Sequence, residues 1–187
     1  SSSKSTRSLR SRLHPYGANS RCKEIMKSFE IKQVENLSQS QILELTGLLA
    51  DAVENNEAID IDKRDISSYY SQLRNADIVI AEVGGKIVGS AIAKYYTESY
   101  ISHIADFRKL IVNRKFRNLG VGTALITRLE EVVRKKGILK IEFSYREGNK
   151  AAHLYTDLGF RPWGKSTCAV RYSNQCYNEI HMEKILR

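Results

Sequence analysis

The stretch from Ser102 to Tyr145 constrains the fold more than any other part of this chain. SHIADFRKLIV reads as a strand ending at Val112, VGTALITRLEEVVRKKG as an amphipathic helix stopped by Gly137, and ILKIEFSY as a second strand. A strand, a crossover helix and a strand in succession predict two parallel neighbours in one sheet. The flanking segments add to that unit. SFEIKQV (Ser28 to Val34) reads as a first strand, and NLSQSQILELTGLLADAVENN as a helix with Ser38 and Gln41 at capping-box spacing. Ile42, Leu45, Leu48, Leu49, Ala52 and Val53 form its apolar face. DISSYYSQLRN, with Asp65 as N-cap, predicts a shorter second helix. DIVIAEVGGKIVGSAIAKYY predicts a hairpin turning at Gly84 and Gly85. NKAAHLYTDLGF predicts a short helix closed by Gly159, followed by two or three late strands. The order βααβββαβαβ indicates an α+β or mixed-sheet domain with helices on both faces.

At 187 residues, 42% hydrophobic and 27% charged, the chain has room for one compact domain with a buried core. Its longest apolar runs are about four residues, as at Ile78 to Ala81, against the roughly 20 needed for a membrane span. Cys22, Cys168 and Cys176 form no CxxC pair. An odd count without ligand spacing predicts neither a disulfide framework nor a metal site, which fits a reducing, cytoplasmic setting.

The net charge of +9 is uneven, with a balance of +5 in residues 1–25 and +4 in the rest. The leader SSSKSTRSLRSRLHPYGANSRCKEI lacks the apolar core of a secretion signal. It reads either as an organelle transit segment, with a thin face of Leu9 and Leu13, or as a disordered or appended leader before a domain spanning residues 26–187. The second reading is preferred.

NRKFRNLGVGTAL joins the strand ending at Val112 to the following helix. Gly120 and Gly122 permit close backbone approach, and the amides of Asn118 to Thr123 converge at the positive end of a helix dipole, as in a phosphate cradle. A Walker loop would need a GK[ST], and a dinucleotide fingerprint a third glycine where Leu125 stands. The bland alternative is that the glycines serve only tight strand-to-helix packing.

The VNRKFRNLGVG stretch resembles motif A of the GCN5-related N-acetyltransferase (GNAT) superfamily, whose [Q/R]xxGx[G/A] core falls on Arg117, Asn118, Leu119, Gly120, Val121 and Gly122. NKAAHLYTDLGF resembles motif B of the same superfamily, in the right order and across the right strand. Arg114 stands where many members have proline, and Phe116 where many have tyrosine. The resemblance covers about Ser28 to Leu186 and implies an α/β/α fold. Its central twisted sheet is mostly antiparallel, and parallel where the fourth and fifth strands bind the cofactor.

That resemblance implies acetyl-CoA as cosubstrate and no metal. The pyrophosphate would lie on the loop from Arg117 to Thr123, and the pantetheine arm would run along Leu110, Ile111 and Val112 like an added strand. The Leu110 amide would face the thioester carbonyl, where oxyanion charge develops. Asn149 matches a cofactor-contacting asparagine and also reads as a helix N-cap. Tyr155 matches the tyrosine used as general acid for the leaving thiolate, or else packs on pantetheine without giving a proton; His153 reads as solvent-facing. Asp106, eleven residues before Arg117, occupies the position of the base in one branch of the family, acting through water, or is an ordinary strand-end acid. Glu98, Glu142 and Tyr145 stand in reserve.

The implied reaction is acetyl transfer to a primary amine by direct attack in a ternary complex. The segment Asp51 to Asp65 has a balance of −4, which suits a cationic acceptor such as a polyamine, an aminoglycoside or a basic peptide end. Tyr69, Tyr70, Tyr95 and Tyr96 offer cation-π faces; a solvated acidic face is the plain alternative. Two rival functions are a nucleic-acid module, disfavoured because aromatics do not interleave with the basic residues, and a non-catalytic CoA-binding regulatory or partner subunit. Neither a membrane nor a nucleic-acid partner is expected. A homodimer is compatible with the sequence.

Overall fold

The computed structural model describes residues 29–55, 61–172 and 174–186. The leader, Ser28 of the first strand, Cys22, and Glu57 and Asp60 of the acidic segment lie outside them. Seven strands form one sheet: β1 (Phe29–Val34), β2 (Ala76–Val83), β3 (Lys86–Tyr95), β4 (Ile104–Val112), β5 (Lys140–Arg146), β6 (Arg161–Tyr172) and β7 (Gln175–Ile185). Their order is β1-β2-β3-β4-β5-β7-β6, and every neighbouring pair is antiparallel except β4 with β5. The helix between β4 and β5 makes that parallel pair possible, as the sequence predicts.

Among the described residues, three α-helices cover the sheet: α1 (Gln39–Glu54), α2 (Val121–Lys135) and α3 (Ala152–Asp157). Ser38 caps α1 through a complete capping box with Gln41. On one face, Leu45, Leu48, Leu49 and Ala52 of α1 pack on Ile78, Ile80, Ile92 and Ile111. On the other, Val121, Leu125, Leu129 and Val133 of α2 pack on Val79, Ala81, Ala91 and Ala93. Alternate residues of β2 thus enter different cores, which is why IVIA reads as an unbroken apolar run. Burying a side chain such as Leu45 or Leu49, both 0% exposed, contributes about 1.5–3 kcal/mol relative to exposure. The β2–β3 turn places Gly84 and Gly85 at φ of 56° and 74°, the two left-handed positions that a two-residue hairpin loop requires.

Two expectations need correction. The predicted second helix, DISSYYSQLRN with Asp65 as N-cap, is not an α-helix: a 3-10 turn at Lys63–Asp65 leads into further turns through residue 72. Asp62 caps it, accepting from the Arg64 amide at 2.9 Å. Most of the following bonds span three residues, as Asp65 to Asp62 and Tyr69 to Ile66. Ile66, Ser67, Ser68, Tyr69 and Tyr70 are weak helix formers in succession, and packing Tyr70 into the α1-side core takes precedence over helix continuation. The second correction concerns cysteine. Cys168 and Cys176 are joined by a disulfide: Cys176 registers with Arg171, and a bulge in β6 between Ser166 and Val170 accompanies the approach of Cys168, whose Cα lies 4.7 Å from that of Cys176. Counting cysteines could not show that hairpin geometry.

Candidate active site

The parallel pairing of β4 and β5 is short. Ile104, Ala105 and Asp106 register with Lys140, Ile141 and Glu142, and no registered pair follows. On its other side β4 carries a bulge. Ser90 registers with Ile111 and Ile92 with Arg108, so Ala91 alone faces both Lys109 and Leu110. Lys109 sits at φ 50°, a left-handed conformation uncommon outside glycine and one that clusters at functional sites. The bulge and the divergence together open a cleft of about 310 Å³ between the two strands.

Five of the residues singled out from the sequence line this cleft: Asp106, Leu110, Asn149, Tyr155 and the reserve candidate Tyr145. The side chain of Ile111 is buried in the α1-side core and that of Val112 packs against the α2-side core, which leaves only their backbone for a ligand. The cleft has two characters. Its wall toward α2 and α3 is apolar and aromatic, with Phe107, Phe143, Tyr145, Tyr155 and Phe160. Asp106, Arg108, Lys109, Ser144 and Glu179 supply its polar lining.

Tyr155 is 9% exposed. Its ring stacks on Tyr145 at 5.6 Å and meets Phe143 at 4.5 Å, and burial pushes its phenol up to about 12. Burial also raises the Asp106 carboxyl above the usual carboxylate range, against the opposing pull of its ion pair with Arg108. Asn149 accepts from the Ala151 amide at 2.9 Å, so it supports the turn entering α3. His153 is exposed, as expected. Of the reserve carboxylates, Glu142 receives the Tyr96 hydroxyl at 3.0 Å and Lys140 at 3.0 Å, and Glu98 precedes a 3-10 turn without a side-chain capping bond; neither lines the cleft. Tyr145 does.

The glycine loop lies at the N-terminus of α2. Gly120 is the N-cap at φ 83°, and Asn118 precedes it at φ 58°. No side chain caps this end. The first bond of the α-helical pattern runs from the Ala124 amide to the Gly120 carbonyl at 3.0 Å, so the amides of Val121, Gly122 and Thr123 have no acceptor within the helix. They face outward at the positive end of the dipole. The loop is braced by the Asn113 side chain, which accepts from the Lys115 amide at 3.0 Å, and by Arg117 Nε, which donates to the Val112 carbonyl at 2.9 Å. A Cβ on Gly122 would stand 3.3 Å from Leu154, so this glycine allows α3 to pack against α2, while the Gly120 position is open.

Three features escaped the sequence reading. Glu179 and Ser144 form a wall of the cleft, with the serine hydroxyl donating to Glu179 at 3.1 Å. The alternation of Glu179, His181 and Glu183 along β7 was the available signal. Lys109 lies over the Tyr69 ring at 5.6 Å, and nothing in the sequence marks it.

An acetyltransferase (GNAT) domain model matches residues 74–162. The chain is 32% identical over 141 residues to a glucosamine 6-phosphate N-acetyltransferase of Trypanosoma brucei brucei, covering 71% of this chain and 88% of that protein. The chain belongs to the GNAT acetyltransferase family. An acetyltransferase of Pectobacterium atrosepticum is 38% identical over 73 residues, 39% of this chain and about half, 48%, of its own length. Among solved GNAT-fold structures, an acetyltransferase from Salmonella typhimurium with its cofactor acetyl-CoA superposes at a TM-score of 0.71. It shares 18% identity and covers 86% of this chain and 95% of its own. The ribosomal-protein-alanine N-acetyltransferase of Brucella melitensis gives the same TM-score at 23% identity, covering 84% and 99%. These neighbours share the fold of this chain. The chain is thus an enzyme of the N-acetyltransferase class. Among the described residues, no helix is long and apolar enough to cross a membrane, and no group of three His, Cys, Asp or Glu side chains is placed to hold a metal ion.

Proposed function

We propose that this enzyme moves the acetyl group of acetyl-CoA to a primary amine by direct attack within a ternary complex, and that the acceptor is a small molecule or peptide amine that arrives as a cation. The observation that carries this reading is the opening of β4 from β5, with Tyr155 in its apolar wall and the uncapped end of α2 supplying anion-binding amides. The amides of Asn118 to Thr123 hold the pyrophosphate, and Arg114, Lys115 and Arg117 add positive charge to the same loop. The pantetheine arm takes the backbone positions of Leu110 to Val112 that β5 leaves open, and Asn149 contacts it from the opposite strand end. The Leu110 amide, released from β3 register by the bulge, stabilises the charge that develops on the thioester oxygen.

Tyr155 stays neutral because burial holds its pKa near 12, so its hydroxyl is available to donate to the departing thiolate. Asp106 takes the proton from the amine through water. An ammonium with a reference pKa near 10.4 must lose that proton to become a nucleophile. Ser144 and Glu179 line the acceptor side, where a carboxylate suits a cation. Asp62 serves less well for charge selection than its sequence suggests, since Arg64 holds it at 2.7 Å and lowers its pKa to about 2. The catalytic domain comprises residues 26–187 on this reading.

The trypanosomal relative, by its name, acetylates an amino sugar phosphate, which supports a small-molecule amine. The deciding experiment incubates the protein with acetyl-CoA and a panel of polyamines, aminoglycosides, amino sugars with and without phosphate, and peptide amines, following free thiol and product mass. Stoichiometric thiol release with a mass gain of one acetyl group is expected. Tight CoA binding with no amine acetylated would favour a non-catalytic CoA-binding subunit instead.

A further inference from the structure

The β6–β7 hairpin carries a device that acetyl transfer itself does not use. Between Ser166, which registers with Glu179, and Val170, which registers with Tyr177, residues 167–169 of β6 face Asn178 alone. Cys168 lies in this bulge at φ 51° and is joined across the hairpin to Cys176. Both cysteines are exposed. The bulge is also stitched to β5. The Cys168 amide donates to Asn178 Oδ1 at 3.0 Å, Asn178 Nδ2 donates to Glu147 at 2.9 Å, and Lys165 reaches Glu147 at 2.7 Å.

Beside the bulge, Arg146 is buried, at 8% exposed. It lies 4.2 Å from the Tyr177 ring centroid and 5.4 Å from that of Tyr172. Tyr177 directly follows Cys176, so the cross-link anchors the backbone that carries the nearer ring. Arg146 registers with Glu179, and Glu179 receives Ser144 in the cleft wall. An unbroken set of contacts therefore runs from the disulfide to the acceptor side.

We propose that Cys168 and Cys176 form a thiol–disulfide exchange site whose state sets the acceptor wall. The acceptor half of this statement rests on the acetyltransferase reading. A dithiol reductant supplies the chemistry. Its thiolate attacks one sulfur, the Cys168–Cys176 bond breaks and a mixed disulfide forms. The second thiol of the reductant then displaces the remaining cysteine thiolate. The reductant leaves as its own disulfide, and two electrons and two protons end on Cys168 and Cys176. In the dithiol form the bulge keeps its flanking ladder pairs and its exposed hydrogen bonds but loses its covalent tie to Cys176, so the placement of Tyr177 and Tyr172 around Arg146 loosens, and that of Glu179 with it. The cofactor loop and β4 belong to other elements and keep theirs.

The test compares the full chain purified without reductant with the same protein treated with dithiothreitol, using the best amine found in the panel. Peptide mass mapping is expected to show the Cys168–Cys176 link in the untreated sample. Reduction is expected to raise deuterium uptake at residues 144–147 and 166–179. Acceptor KM should rise about tenfold, the weight of one hydrogen bond to a charged group, with acetyl-CoA affinity unchanged. The Cys168→Ser, Cys176→Ser double variant should show the reduced KM with or without dithiothreitol, while Cys22→Ser should respond as the parent does. Equal acceptor KM in the two states, a double variant that matches the oxidised parent, or no cross-link in the untreated protein would overturn the proposal. Deuterium uptake needs no turnover, so unchanged uptake at residues 144–147 overturns it even where no amine is acetylated. Absence of transfer in both states counts against the acetyltransferase reading alone.

Discussion

Replacing Tyr155 with phenylalanine separates the hydroxyl from the ring. The ring meets Phe143 at 4.5 Å, Tyr145 at 5.6 Å and Phe160 at 6.5 Å, and phenylalanine keeps all three contacts, so stability should barely change. The size of the kinetic effect follows from burial. A phenol held near 12 facing a thiol of reference pKa about 8.5 makes complete proton transfer uphill by roughly 5 kcal/mol at 1.36 kcal/mol per pKa unit. Burial narrows that gap by raising the thiol as well. What the hydroxyl supplies is chiefly a hydrogen bond to a developing anion, about 1.5–3 kcal/mol, or roughly 10- to 100-fold in kcat. Steady-state thiol release should show that loss in Tyr155→Phe with little change in KM for acetyl-CoA. The wild type should show no alkaline loss of activity from Tyr155 up to about pH 10, since its pKa lies well above that. Unchanged kcat would assign Tyr155 to packing. An alkaline limb near pH 8 to 9 that vanishes in the variant would refute the burial argument.

Further perturbations probe other parts of the site. Gly120→Ala meets no atom within 4 Å but must hold φ 83°. Thermal unfolding should report a cost of about 1–2 kcal/mol, and calorimetry on the folded variant should report clearly weaker CoA binding; unchanged affinity would remove the pyrophosphate from this loop. Asp106→Asn should lower kcat/KM by roughly 10²-fold or more and abolish the acid limb, which in the parent sits above the usual aspartate range because burial favours the protonated form. Stability itself should fall as pH rises from about 10 to 12. Tyr70 and Tyr155 are both pushed from 10 up to about 12 by burial, so the unfolded chain loses these protons first. Each contributes stability that is complete below pH 10 and lost through the folded pKa, roughly 2–3 kcal/mol apiece, and urea titrations near pH 9 and pH 11.5 would detect its absence.

The parts of this fold that were legible in the sequence are those set by short-range physics. Ser38 and Gln41 announce the start of α1, the glycine pair announces the hairpin, and the NRKFRNLGVG loop announces the helix end. What escaped depends on contacts between distant segments. DISSYYSQLRN has enough apolar spacing for a helix, and its run of weak helix formers together with the burial of Tyr70 in the α1-side core decides against it. The β4 bulge places Lys109 at a positive φ with no glycine to signal it, because the mismatch arises between β3 and β4 and is a property of neither strand alone. Glu179 became a wall of the cleft only once β7 was inserted between β5 and β6. The order of strands in the sheet, unlike their order in the chain, was not legible from residue types.

The cleft is a slit through a sheet whose two faces have different neighbours. On one side the slit is bounded by residues that also hold α2 and α3 in place, including Phe143, Tyr155 and Phe160. On the other, Arg108 and Ser144 are exposed and Glu179 is half-buried, with the Ser144 hydroxyl donating to Glu179. Substitutions at such half-exposed polar positions usually shift stability little, whereas those on the aromatic side disturb the core. On the proposed assignment of the two sides, the two substrates are under unequal mutational constraint. A lineage carrying this scaffold can exchange one amine for another by drift across a few surface side chains, while the donor half stays fixed by the same packing that keeps the protein folded.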